Sequence, residues 1–128
     1  LLEKNFHVTL VEGENVTNRT IIKHSNFIYR NNPKNIATLM QNCDFAFSNG
    51  GTTMLELLSL GKPVHVYPQN NAEKIFSQHV LDQGGIVSND PNNFKIPSSR
   101  FLNKVCLKAF QMIDCKGKYR IIDKLKGI

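Results

Sequence analysis

Apolar residues along this chain follow two alternating rhythms. Short runs with strand-like alternation occur at residues 6–13 (FHVTLVEG), 26–30 (NFIYR), 43–48 (CDFAFS), 63–68 (PVHVYP) and 85–89 (GIVSN). They are rich in β-branched and aromatic residues and bounded by glycine, proline or asparagine, as strands are. Between them, helical spacing predicts helices over 33–42, with Ile36, Leu39 and Met40 on one face, and over 51–61, with Met54, Leu55 and Leu58 facing inward. A third helix over 72–83 carries Ile75, Phe76, His79, Val80 and Leu81, and a fourth spans 100–114. Gly61 and the Gly84-Gly85 pair stand where helices stop. Residues 1–5 read as the end of a preceding helix, 18–24 as a short helix and 90–100 as a turn-rich connector. A basic helix over about 116–128 closes the chain.

Strands and helices that alternate over short connectors predict a parallel sheet built from right-handed crossovers. The expected fold is a Rossmann-like α/β three-layer sandwich of five strands, in one domain over residues 1–128. In such sheets ligands bind beyond the carboxyl ends of the strands. Two polar segments fall at such ends, Gly50-Gly51-Thr52-Thr53 and Gln69-Asn70-Asn71.

Composition narrows the classes. The chain of 128 residues is 41% apolar and 20% charged, ordinary for a globular domain. No run reaches the roughly 18 to 20 apolar residues that cross a bilayer. Opening at Leu1 without methionine, the chain is expected to be a fragment of a longer protein. The net charge is +6, from 16 Lys and Arg against 10 Asp and Glu. The excess concentrates in Lys116, Lys118, Arg120, Lys124 and Lys126, opposed by Asp123. A solvated terminal helix is the plain reading, and peripheral membrane contact or partner docking the alternative. No RNA-recognition or zinc-finger pattern is present, so nucleic acid is not an expected partner.

Cys43, Cys106 and Cys115 are too few and too widely spaced for a disulfide framework or a zinc site. Cys43 and Cys106 fall in apolar patterns and are expected to be buried thiols in a reducing, cytoplasmic compartment. The sequons at Asn15 and Asn18 have no secretory signal beside them and are read as chance matches. No metal or other cofactor is expected.

The candidate chemistry begins at "SNGGTTMLE", residues 48–56. A strand, two glycines and a helix start leave helical N–H groups open to an anion, with the hydroxyls of Thr52 and Thr53 as further donors. The competing reading is a plain helix entry, capped by Asn49 or Thr52 and turned by glycine. Glu56 lies near the start of the same helix and could accept both hydroxyls of a ribose, or simply complement the helix dipole. In "YPQNNAEK", Gln69, Asn70 and Asn71 offer amides that both donate and accept, which suits sugar hydroxyls, and Glu73 could join them. A polar capped loop explains the same residues. His7, His24, His65 and His79 lack a partnered nucleophile and are expected to be structural, so no catalytic base is assigned. Asp44 is read as a packing or capping acid.

Over residues 42–85 these features together resemble the donor-binding, C-terminal half of GT-B glycosyltransferase-like proteins. The resemblance is to the UDP-sugar hydrolases of pseudaminic acid synthesis and the spore-coat polysaccharide proteins first, and to the lipid II N-acetylglucosaminyltransferase more distantly. It implies that Gly50, Gly51, Thr52 and Thr53 hold the diphosphate of a UDP-sugar and that Glu56 takes the ribose hydroxyls. Gln69, Asn70 and Glu73 would meet the sugar, and the backbone at Ile28 would lie beside the uracil. It also implies a missing N-terminal lobe in cis, bearing the acceptor site and the base, and a missing first strand of this lobe. The function expected is therefore the nucleotide-sugar-binding lobe of a hydrolase or glycosyltransferase in cell-surface polysaccharide or nonulosonic acid synthesis, inactive alone. The alternative is a non-catalytic nucleotide- or partner-binding module.

Overall fold

The computed structural model describes residues 6–14 and 22–128. The helix end expected over 1–5, most of the short helix expected over 18–24, and both sequons lie outside them. The chain divides into two compact units, one within residues 1–36 and one from 37 to 128.

In the first unit, β1 (Val8–Glu12) and β2 (Phe27–Asn31) pair in parallel, with Val8 opposite Phe27 and Glu12 opposite Asn31. The Val8 amide donates to the Asn26 carbonyl at 2.8 Å, and the Asn32 amide donates to the Glu12 carbonyl at 2.8 Å. Asn32 turns the chain at φ 41°, a left-handed conformation that asparagine tolerates better than most residues.

In the second unit, α1 (Ile36–Asn42) leads into β3 (Ala46–Ser48), α2 (Thr52–Ser59), β4 (Val64–Val66) and α3 (Asn71–Asp82). Two further helices follow, α4 (Ser99–Met112) and α5 (Gly117–Lys126). β3 and β4 are parallel and in register from Ala46–Val64 to Ser48–Val66. Alternation along these strands sends Val64 and Val66 into the core, where they meet Met54, Leu58, Val80 and Ile86. Phe47, His65 and Tyr67 share the opposite face with Phe94, their ring centroids 4.8 to 6.0 Å apart.

The expected α/β architecture with parallel pairing is what the structure shows, and two details differ. The strand expected over 85–89 is reduced to one bridge between His65 and Ser88. It is held by the Val66 amide on the Ser88 carbonyl and the Val87 amide on the Val64 carbonyl, both at 2.8 Å, before Asp90-Pro91 turns the chain away. Four strands in two separate pairs therefore stand, among the described residues, where one five-stranded sheet was expected. On α3, Ser77 and Val80 are buried, while Ile75 and Phe76 are 65% and 41% exposed.

The helix stops behave as the glycines suggested. After α2, the Gly61 amide donates to the Leu58 carbonyl and the Lys62 amide to the Leu57 carbonyl, with Gly61 at φ 65°. After α3, Gly84 at φ 76° and Gly85 repeat the arrangement on Leu81 and Val80. Both are Schellman ends, which favour a residue free to take positive φ.

Candidate functional site

Because β3 and β4 are parallel neighbours, the loops that leave their carboxyl ends emerge side by side. The first loop is Asn49-Gly50-Gly51, opening α2. The second is Tyr67-Pro68-Gln69-Asn70, opening α3. Asn70 caps α3 through its side-chain carbonyl, which accepts from the Glu73 amide at 2.9 Å. This cap fixes the first turn of α3 and aims Glu73 back at both loops. Glu73 Oε2 accepts from the Gly50 amide at 3.0 Å and from the Gln69 amide at 2.9 Å. One carboxylate thus ties the two strand-end loops together.

That tie explains the first glycine of the pair. A Cβ on Gly50 would stand 2.9 Å from Glu73 Cβ and 3.0 Å from the Glu73 carbonyl oxygen. Gly50 is therefore demanded by close approach of α3, and its amide is already engaged by an anion of the chain itself. Gly51 is different. The three atoms nearest to a Cβ there belong to side chains, with Asn49 Nδ2 first at 3.4 Å. Gly51 is the N-cap of α2, and no side chain caps that helix. Neither Asn49 nor Thr52 takes the capping role weighed for it. The first-turn amides of α2, which have no carbonyl partner within the helix, form the part of the turn open to an external anion.

On α2, Met54, Leu57 and Leu58 are buried, and the opposite stripe carries Thr52 and Glu56, both exposed and one helical turn apart. Glu56 is the fifth residue of α2, so it stands beyond the first turn while sharing its outer face with Thr52. Thr53 is half-buried beside them. Gln69 and Asn70 are exposed at the head of α3. The expected residues Gly51, Thr52, Thr53, Glu56, Gln69 and Asn70 thus belong to two adjoining strand-end segments of one unit. Ile28, 40% exposed on β2, belongs to the other unit.

Sequence reasoning missed the tether made by Glu73, although Asn70 three residues before an acid at a helix start is a recognisable capping pattern. It also missed the singular state of His65. This side chain is wholly buried, and neither ring nitrogen has a hydrogen-bond partner. Burial pushes its pKa down, against a weaker opposing pull from Asp90. That leaves a neutral ring packed among aromatics.

Cys43 and Cys106 are half-buried rather than fully buried. They share a cavity of about 320 Å³ with Lys62 at the amino ends of β3 and β4, away from the glycine turn. Burial raises both thiol pKa values, outweighing the opposing effect of Lys62. Among the described residues, no group of three or more His, Cys, Asp and Glu side chains could hold a metal ion.

Parallel pairing, helices between the strands and loops gathered at the strand ends define a Rossmann-like α/β lobe. No family model matches the chain and no solved structure does. Among curated proteins it is 31% identical, over 98% of its length, to the UDP-N-acetylglucosamine–N-acetylmuramyl-(pentapeptide) pyrophosphoryl-undecaprenol N-acetylglucosamine transferase of Prochlorococcus marinus subsp. pastoris. It is 30% identical over the same share to the enzyme of that description from another Prochlorococcus marinus strain. The chain spans 36% of the length of these relatives. The similarity supports the GT-B glycosyltransferase resemblance across nearly the whole chain, beyond residues 42–85. It does not support pseudaminic acid hydrolases as the nearer kin.

Proposed function

We propose that this chain is the nucleotide-sugar-binding lobe of a glycosyltransferase acting in cell-surface polysaccharide synthesis, with UDP-N-acetylglucosamine as donor. One observation carries the reading: the uncapped start of α2, with Glu56 one turn on, is tied by Glu73 to the amide-rich head of α3. The first-turn amides of α2, with Thr52 and Thr53, hold the diphosphate, and Glu56 takes the ribose hydroxyls. Gln69 and Asn70 face the sugar, while Glu73 holds both loops in place. Backbone amides and the helix dipole stabilise the departing diphosphate. The base and the acceptor site belong to another lobe of a longer cytoplasmic protein.

The relatives are N-acetylglucosamine transferases, which favours transfer over hydrolysis. The Gly50–Glu73 contact favours one competing reading, a turn that is purely structural. Calorimetric titration with UDP and UDP-N-acetylglucosamine decides between them. Binding should weaken about 10- to 100-fold in Glu56→Ala, the range for losing hydrogen bonds to a charged group. It should be lost in Gly51→Val while the melting temperature changes little, because the atoms nearest to a Cβ at Gly51 belong to side chains, at 3.4 Å or more. Absence of binding to either nucleotide by the unmodified chain would leave only the structural reading.

A further inference from the structure

Among the described residues, the two ring nitrogens of His65 are the only buried side-chain polar atoms without a hydrogen-bond partner. The ring is out of contact with bulk water. Phe47, Tyr67 and Phe94 surround it, their ring centres 4.8 to 5.7 Å away. Asp90 favours the charged ring through its backbone and its carboxylate, yet makes no hydrogen bond of ordinary geometry to it. Buried polar groups in native proteins are nearly always satisfied by protein, water or a ligand, so an orphan of this kind calls for an occupant.

His65 borders an open cleft of about 410 Å³. One water takes up about 30 Å³ of liquid, so the cleft holds far more than the one or two molecules the ring could use. Its size is that of a site for a small organic molecule. All of its walls come from the second unit: β4, the bridge at Ser88, the connector after it and the start of α4.

The other walls select the occupant. Phe94 and Phe101 present aromatic surface, and Lys95 is the only charged side chain among the lining residues. Ser98, also in the wall, caps α4 by accepting from the Phe101 amide at 3.4 Å. The Ser99 and Arg100 amides beside it have no carbonyl partner within the helix, and no acid stands in its first turn. Lys95 and this helix start favour a negative group. The two phenylalanines favour a flat apolar body, and the His65 ring favours a group that hydrogen-bonds.

We propose that the cleft binds a small aromatic carboxylate, its anion on Lys95 and the start of α4, its ring against Phe94 and Phe101, and a polar substituent on His65. The cleft shares no residue with the glycine turn or the head of α3, so the inference stands apart from the donor reading.

The test is titration of the full chain with 4-hydroxybenzoate, benzoate and inorganic phosphate, followed through the histidine ring signals in nuclear magnetic resonance. 4-Hydroxybenzoate should shift the His65 signals saturably and leave those of His7, His24 and His79 in place. Benzoate should bind about 3- to 10-fold more weakly, the worth of one neutral hydrogen bond. Lys95→Gln should weaken 4-hydroxybenzoate about two- to fivefold, as for an exposed charge pair. His65→Leu should bring 4-hydroxybenzoate down to the affinity of benzoate. The ring signals are read on the unmodified chain, so they decide the matter even where His65→Leu folds poorly. His65 signals that stay in place with 4-hydroxybenzoate would overturn the proposal, since the cleft would then hold water alone. So would equal affinities for benzoate and 4-hydroxybenzoate. Phosphate binding as tight as that of 4-hydroxybenzoate would overturn it too, leaving only an anion at the start of α4.

Discussion

α2 and α5 are both short amphipathic helices, and the structure uses their apolar faces in opposite ways. α2 hides Met54, Leu57 and Leu58 against β4 and α4, with Met54 and Leu58 wholly out of contact with water. α5 buries none of its residues, and Arg120 near its start pairs with Asp114. The difference lies in the charges interleaved with the apolar residues. On α2 the buried stripe contains no ionisable group, whereas on α5 Lys118 stands at the amino end of the apolar face. Periodicity identifies a face; the charge within that face limits what can cover it.

The largest effect expected from this contrast is in stability. Leu58→Ala should cost about 2 to 5 kcal/mol in urea unfolding, the range for removing a buried leucine. Leu125→Ala should stay within about 0.5 kcal/mol, as surface substitutions do. A loss at Leu125 comparable with that at Leu58 would mean that α5 is packed in solution.

An intermediate effect separates the two glycines of the turn. Gly50→Ala should destabilise by about 1 to 3 kcal/mol, because its Cβ would press on Glu73 where backbone must yield. Gly51→Ala should change stability by less than about 0.5 kcal/mol. Equal costs at the two positions would show that the turn, rather than its contact with α3, requires glycine.

The smallest effect is acid sensitivity at His65. Its folded pKa lies below the ordinary 6.5, so the unfolded chain takes up a proton before the folded one does. The neutral buried ring therefore supports full stability above pH 6.5, and stability is lost as the pH falls below that value towards the depressed folded one. His65→Leu should flatten this part of the profile when urea midpoints are compared at about pH 7.5 and about pH 5. An unchanged slope would assign the acid sensitivity to other groups.

Much of this was legible in the residues. Gly61 and Gly84 mark helix ends to the residue because only positive φ closes those turns without strain. Val64 and Val66 declare a buried strand, and α2 follows its apolar spacing. On α3 the spacing left the buried arc open: Ile75 and Phe76 are bulky and apolar, yet Ser77 and Val80 face the core. Adjacent helix positions point about 100° apart, so the neighbouring strands decide which arc of a broadly apolar helix is buried. At the glycine turn, the residues showed that an anion could be held. They did not show that Glu73, twenty-three residues after Gly50, already occupies one of its amides.

The sequence by itself determined the alternation of elements, the helix stops and the residue types at the strand ends, because these depend on local backbone preference and periodicity. Tertiary structure decided that β3 and β4 lie side by side, that Glu73 joins their loops, that His65 is buried without a partner, and that α5 is left bare. Each of these depends on groups distant in sequence meeting in space, and the pattern of any one segment carries no record of that meeting.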